Sequence, residues 1–209
     1  MTITIGLSKG RLLKESQGIL EKLGQDFEYI KTTRQLVIKD ESRDLNFILL
    51  KPSDIPTYVE KGIIDIGIVG KDTLIENKRD VYEVMNLSIG KCRFSVAGKP
   101  ENKEKLNQPI IRVATKYPNI TKKYFEEKGK TVEITKLNGS VELAPLVGLS
   151  DMIVDLVETG NTLKANGLVV YEDVFEVSAR LIVNKVSYRY KDSGIQNIMD
   201  TIKAWEVEQ

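Results

Sequence analysis

Asp151-Met152-Ile153-Val154-Asp155-Leu156-Val157-Glu158-Thr159-Gly160-Asn161-Thr162-Leu163 is the stretch from which the fold is read. An apolar run ends in acidic residues, a turn of small and hydroxyl-bearing residues follows, and a helical pattern starts after it. That is the strand–turn–helix unit of an α/β protein. Gly160 allows a ligand close to the backbone, and Thr159 and Thr162 add hydroxyl donors. The amides at a helix start point outward, which is what a phosphate requires. The Asp155 carboxylate has the chemistry to hold ribose hydroxyls. The same residues also make an ordinary strand-to-helix turn with Thr159 or Asn161 as N-cap, so this segment alone leaves both readings open.

Working outward, apolar residues at positions 3, 5 and 7 predict a first strand. A helical stripe follows at Leu12, Leu13, Ser16, Ile19, Leu20 and Leu23, ending at Gly24. Strands are expected at 36–38, 45–50, 64–69, 81–87, 91–97 and 110–115, with a short helix at 52–60 started near Ser53 and Asp54, and a last helix at 195–205. Residues 98–109 read as a linker. The second half echoes the first: a strand ends at Ser8-Lys9 and again at Thr115-Lys116, and Gly-x-x-Asp precedes an apolar strand at Gly62/Asp65 and at Gly148/Asp151. Two α/β lobes with a ligand cleft between them are expected, with ligands at strand C-termini.

Composition narrows the chemistry. With 209 residues, 41% of them hydrophobic, the chain has material for a real core, and 31 basic residues against 30 acidic leave no global field to draw it onto nucleic acid or an anionic membrane. No apolar run reaches the length of a membrane span, and the first residues lack a basic segment followed by a long apolar one, so a cytoplasmic location is expected. The single cysteine, Cys92, excludes an intramolecular disulfide and a multi-cysteine metal site; its apolar neighbours suggest a core thiol. Histidine is absent, which removes Ser-His triads and the usual zinc and haem ligands. What remains is chemistry driven by positioning and electrostatics.

Ser8-Lys9-Gly10-Arg11 places two cations beside a glycine where the first strand meets the first helix, a pairing suited to a pyrophosphate: Lys9 as a point charge, Arg11 as a fork. Arg34, after a Thr-Thr pair, is a candidate for a second fork. In order, Ser8-Lys9-Gly10-Arg11, Asp54-Ile55-Pro56-Thr57-Tyr58-Val59, Asp65-Ile66-Gly67-Ile68-Val69-Gly70-Lys71-Asp72, Ala114-Thr115-Lys116-Tyr117-Pro118-Asn119, Gly139-Ser140-Val141-Glu142-Leu143-Ala144-Pro145 and residues 155–163 resemble the ATP phosphoribosyltransferases of histidine biosynthesis, in their short catalytic form. The resemblance runs from residue 3 to about Tyr188. Ser8 stands where many members have proline, and Lys51 where arginine is common; lysine there keeps the charge and loses the fork.

The resemblance implies two lobes of the periplasmic-binding-protein type II class, 1–90 with 178–209 and 91–177. It also implies transfer of phosphoribosyl from 5-phosphoribosyl 1-pyrophosphate to N1 of ATP. Adenine N1 carries its lone pair at neutral pH, so no histidine is needed to create the nucleophile. Lys9, Arg11 and Arg34 would stabilise the leaving pyrophosphate, with Mg²⁺ held mainly through substrate. Asp155 would face the ribose diol, Glu158, Thr159, Gly160, Asn161, Thr162 and Leu163 would anchor the 5-phosphate, and Asp72 and Glu142 would lie by the nucleotide. Family members that carry their own feedback control have a further C-terminal domain, whereas this chain ends at Gln209. The implied partner is a separate regulatory subunit resembling histidyl-tRNA synthetase. Two other readings compete: a salvage phosphoribosyltransferase, which would share the 155–163 motif but not the Ser-Lys-Gly-Arg opening, and a non-catalytic two-lobed solute-binding module.

Overall fold

The computed structural model describes residues 1–208. In chain order its strands are β1 (Ile3–Ser8), β2 (Val37–Asp40), β3 (Leu45–Leu50), β4 (Ile66–Gly70), β5 (Tyr82–Asn86), β6 (Cys92–Gly98), β7 (Ile110–Thr115), β8 (Thr131–Lys136), β9 (Met152–Val157), β10 (Val169–Val177) and β11 (Ala179–Val183). Two compact units share them: the first is Met1–Gly90 with Ser178–Gln209, the second Lys91–Val177.

In the first unit the sheet order is β2-β3-β1-β4-β11-β5, with β1 parallel to both β3 and β4, and β2, β11 and β5 running antiparallel to their neighbours. Both faces of β1 and β4 are covered, so they read as near-continuous apolar runs. Ile3, Ile5, Leu7, Ile66 and Ile68 pack beneath the helices Gln17–Lys22, Phe27–Thr32 and Asp192–Val207, which contribute Ile19, Ile30, Ile198 and Trp205 to the same core. On the opposite face Ile55 and Val59 of the helix Ile55–Glu60 meet Ile64, Val69 and Ile182. Gly6 and Gly67 are register partners, and together they make room for that helix: a Cβ on Gly67 would lie 2.6 Å from Ile55 Cγ2.

Three expectations need correction. The first helical stripe is two helices, Arg11–Glu15 and Gln17–Lys22, because buried Ser16 donates its hydroxyl to Leu12 O (2.7 Å) and interrupts the helix there. Residues 98–109 are no linker: Gly98 closes β6, and Pro100–Asn107 is a 3₁₀ run inside the second unit, tied down by Lys105 Nζ to Asp151 Oδ1 (2.6 Å). A polar helical turn without buried residues has the composition of a linker. Cys92 is half-buried rather than a core thiol, at the first position of β6.

The second unit has the order β10-β6-β9-β7-β8, with β7 parallel to β8 and β9, and β6 antiparallel to β9 and β10. Its core includes Ala97, Ala114, Val141, Ile153, Val157 and Leu163. Cys92 and Val177, at its two ends, are register partners across β6 and β10.

The sequence echo has a structural counterpart. Asp65 donates its N–H to Thr4 O (2.9 Å) and accepts the Thr4 N–H on Oδ2 (2.8 Å); Asp151 does the same with Arg112, at 2.9 and 3.3 Å. Each Asp thus clips its parallel strand to the first parallel strand of its unit. Each buried carboxylate also has cations: Lys191 at 2.8 Å for Asp65, and Lys105 and Arg112 at 2.6 and 3.0 Å for Asp151. Arg112's hydrogen bonds, with help from Lys105, pull the Asp151 carboxyl down to about 2 against the opposing effect of burial.

Candidate active site

Along β9 the side chains alternate, so Ile153, Asp155 and Val157 share one face. Antiparallel pairing puts Ser95 of β6 opposite Asp155 and Ala97 opposite Ile153 on that same face. These residues floor a pocket of about 200 Å³ whose walls are Glu142, Leu156 and residues 158–163. Small side chains at 95 and 97 leave the space open. Ser95 is fully buried and donates its hydroxyl to Asp173 Oδ1 (2.7 Å), so its proton is directed away from Asp155.

The turn after β9 depends on Gly160, which has φ +74°, a left-handed conformation that costs other residues about 1–2 kcal/mol. Gly160, rather than Thr159 or Asn161, is the N-cap of the helix Asn161–Ala165. Thr159 Oγ1 accepts the Asn161 N–H (3.3 Å), which holds the turn closed. The helix's first bond runs from Lys164 N–H to Gly160 O (3.0 Å), so the Thr162 and Leu163 amides precede it and are set to serve a ligand. An added Cβ at Gly160 would meet only Val157 Cγ1, at 3.8 Å. The space over this turn therefore belongs to the pocket.

Glu142, Asp155 and Glu158 line the pocket, and no Lys or Arg does. The site therefore offers carboxylates to hydroxyl groups, and amides and hydroxyls to an anion. An extended phosphate chain would need cations from elsewhere. Among the described residues no three Asp, Glu or Cys side chains are grouped to hold a metal by themselves. Carboxylate oxygens do suit a hard divalent ion that keeps substrate oxygens in its shell.

The pocket brings together Glu142, Asp155, Glu158, Thr159, Gly160, Asn161, Thr162 and Leu163. It also includes Ser95, Ala97, Ile153, Leu156 and Val157, which sequence reasoning missed. Period-two alternation along β9 would have flagged Ile153 and Val157; Ser95 and Ala97 depend on a strand register that a single sequence does not contain.

Lys9, Arg11, Arg34 and Asp72 belong to the first unit, at the C-terminal edge of its parallel strands. Lys9 and Arg11 follow β1, and Asp72 sits in the first turn of the helix Lys71–Asn77 after β4. Arg34 lies in the extended segment leading to β2, whose start pairs with the end of β3 (Val37 with Ile48). All three cations are exposed, and Arg11 Nε lies 3.5 Å from Glu15 Oε1. Asp72 is 6% exposed, with its carboxylate folded over the Gly70 backbone and its Oδ2 accepting from the Thr73 hydroxyl (3.3 Å).

Two mixed α/β units, with parallel strands ending at polar turns, define a protein of the periplasmic-binding-protein type II class. The aliphatic sulphonate binding protein SsuA from Escherichia coli has this fold, with a TM-score of 0.62 over 96% of this chain and 67% of that one at 15% identity. The sequence goes further: the family model described as ATP phosphoribosyltransferase matches residues 51–204. The ATP phosphoribosyltransferase of Clostridioides difficile is 56% identical over 94% of this chain and 95% of its own, and that of Ruminiclostridium cellulolyticum 54% identical over 96% and 95%. A chain of the ATP phosphoribosyl transferase (HisG:HisZ) complex from Thermotoga maritima superposes with a TM-score of 0.84 at 33% identity, with each chain covered in full. The chain belongs to the ATP phosphoribosyltransferase family and is a phosphoribosyl-transferring enzyme. The salvage-enzyme and solute-binding readings fall away. No helix among the described residues is long and apolar enough to cross a membrane.

Proposed function

We propose that the chain catalyses the first step of histidine biosynthesis, attack by N1 of ATP on C1′ of 5-phosphoribosyl 1-pyrophosphate with loss of pyrophosphate. The observation that carries this for the site is the gathering of Glu142, Asp155 and residues 158–163 around one pocket. Asp155 accepts hydrogen bonds from the ribose diol, and the amides near Gly160 hold the 5-phosphate. Lys9, Arg11 and Arg34 serve the departing pyrophosphate, and Asp72 and Glu142 the nucleotide. Because N1 is already a nucleophile, the protein's part is alignment and relief of charge as the C1′–O bond breaks. Mg²⁺ held mainly through substrate phosphates would supply neutralisation of the pyrophosphate charge.

The protein works in the cytoplasm with a separate regulatory subunit resembling histidyl-tRNA synthetase, as the two-component name of the Thermotoga maritima complex suggests. Incubating the chain with ATP, 5-phosphoribosyl 1-pyrophosphate and Mg²⁺, with and without that subunit, tests the reading. A new base-ribose chromophore and stoichiometric pyrophosphate are expected. Their absence from both mixtures would refute it.

A further inference from the structure

The chain leaves the first unit through residues 87–90, and every amide there whose partner is seen is held by a specific group. Leu87 donates to Ala179 O (3.0 Å), and Ala179 donates to Ile89 O (2.9 Å), so this strap pairs with the start of β11. The outward amides go to carboxylates instead: Ser88 N–H to both oxygens of Glu206 (2.9 and 3.0 Å), and Gly90 N–H to Glu15 Oε2 (2.6 Å). Gly90 has φ +68°, and a Cβ there would lie 3.3 Å from Ala179 N, so the strap admits little else at this point.

Glu15 is doubly engaged, because its other oxygen faces Arg11 Nε one helical turn back, at 3.5 Å. Side chains this exposed gain little stability from an ion pair. Orientation is a different matter. A glutamate free at its tip would swing with the arginine, whereas one pinned by a short, charge-assisted bond to a backbone amide presents Oε1 from a fixed point. We propose that Glu15 is a positioning residue: anchored on the Gly90 amide, it aims the Arg11 guanidinium at the substrate. This rests on the assignment of Arg11 to the departing pyrophosphate.

The test is a double-mutant cycle on turnover with the full chain and its regulatory subunit present in every arm: parent, Arg11→Ala, Glu15→Gln and the double variant. Glutamine keeps an acceptor for Gly90 but turns a donor toward Arg11. Glu15→Gln is expected to lower kcat about tenfold, with the KM for the phosphoribosyl donor changed by less than roughly threefold, the pattern of a misplaced charge-stabilising group. In the Arg11→Ala background it should cost less than about twofold. Full kcat in Glu15→Gln, with Arg11→Ala impaired, would overturn the positioning role and leave Arg11's role standing. A tenfold loss that persists in the Arg11→Ala background would mark Glu15 as merely structural and overturn it too. Full kcat in Arg11→Ala would remove the arginine's role, and this inference with it. Glu15→Ala supplies an independent readout: hydrogen exchange at the Gly90 amide should rise at least about tenfold, from loss of a charge-assisted bond, and unchanged exchange would overturn the anchoring.

Discussion

Gly160→Val separates what the turn does for the fold from what it does for the ligand. Its cost to stability starts from backbone strain, because the Cβ itself fits: the nearest atom is Val157 Cγ1 at 3.8 Å. A left-handed non-glycine residue costs about 1–2 kcal/mol, a fall of roughly 2–8 °C in Tm for a protein of this size. The effect on the donor should be larger. Methyl groups over the turn keep a phosphate from the nearby amides, and losing one charge-assisted hydrogen bond costs about 1.5–3 kcal/mol, or roughly tenfold to hundredfold in Kd. Gly160→Asn is the control, since asparagine enters the left-handed region readily and still projects a side chain into the pocket. Calorimetric titration of 5-phosphoribosyl 1-pyrophosphate with Mg²⁺, alongside urea unfolding, measures both terms. Asparagine should restore most of the stability and little of the affinity. Ordinary donor affinity in a folded Gly160→Val protein would remove this turn from the site.

Other outcomes follow from the same geometry. Arg34→Ala should lower kcat by about tenfold to a thousandfold, the range for losing one preorganised charge-stabilising donor, without a change in unfolding midpoint; a raised KM at unchanged kcat would make Arg34 a binding residue only. Asp151 has its carboxyl lowered from 3.8 to about 2, so the stability it contributes is complete above the unfolded carboxyl's titration and lost as pH falls through about 2. Asp151→Asn should therefore cost about 1–2 kcal/mol at neutral pH, after allowance for the partly exposed cations, and the gap from the parent should close between about pH 4 and pH 2; a pH-independent gap refutes the pairing. Histidine should inhibit only when the regulatory subunit is present, since an effector shifts only states with which it has differential contacts; calorimetry showing tight histidine binding to this chain alone, with inhibition, would refute that division of labour.

Much of the architecture is legible because the decisive signals are local. The apolar runs of β1, β4 and β9 are buried on both faces, and the turn at Gly160 is announced by its own residues. The Gly-x-x-Asp echo is equally local, because each aspartate clips the strand that immediately follows it. What sequence reasoning missed is what depends on partners distant in the chain. Ser95 joins the pocket only through the register of β6 on β9. Ser16 looks like one more position on an apolar stripe until its hydroxyl takes the Leu12 carbonyl. The segment before β7 looks like a linker because Lys105 reads as a surface charge, and only Asp151, 46 residues on, gives it a place.

The register pairing of Cys92 with Val177 means that the second unit is an insertion whose two ends emerge side by side. Residue 90 is joined to residue 178 by 87 intervening residues, yet the strap ending at Gly90 already pairs with the start of β11 through Ile89 and Ala179. A short turn could bridge that gap, leaving the six-stranded sheet with all its strands. The excised segment would carry its own sheet and the whole Gly160 pocket. The arrangement is thus modular, each unit having a sheet and a hydrophobic core of its own.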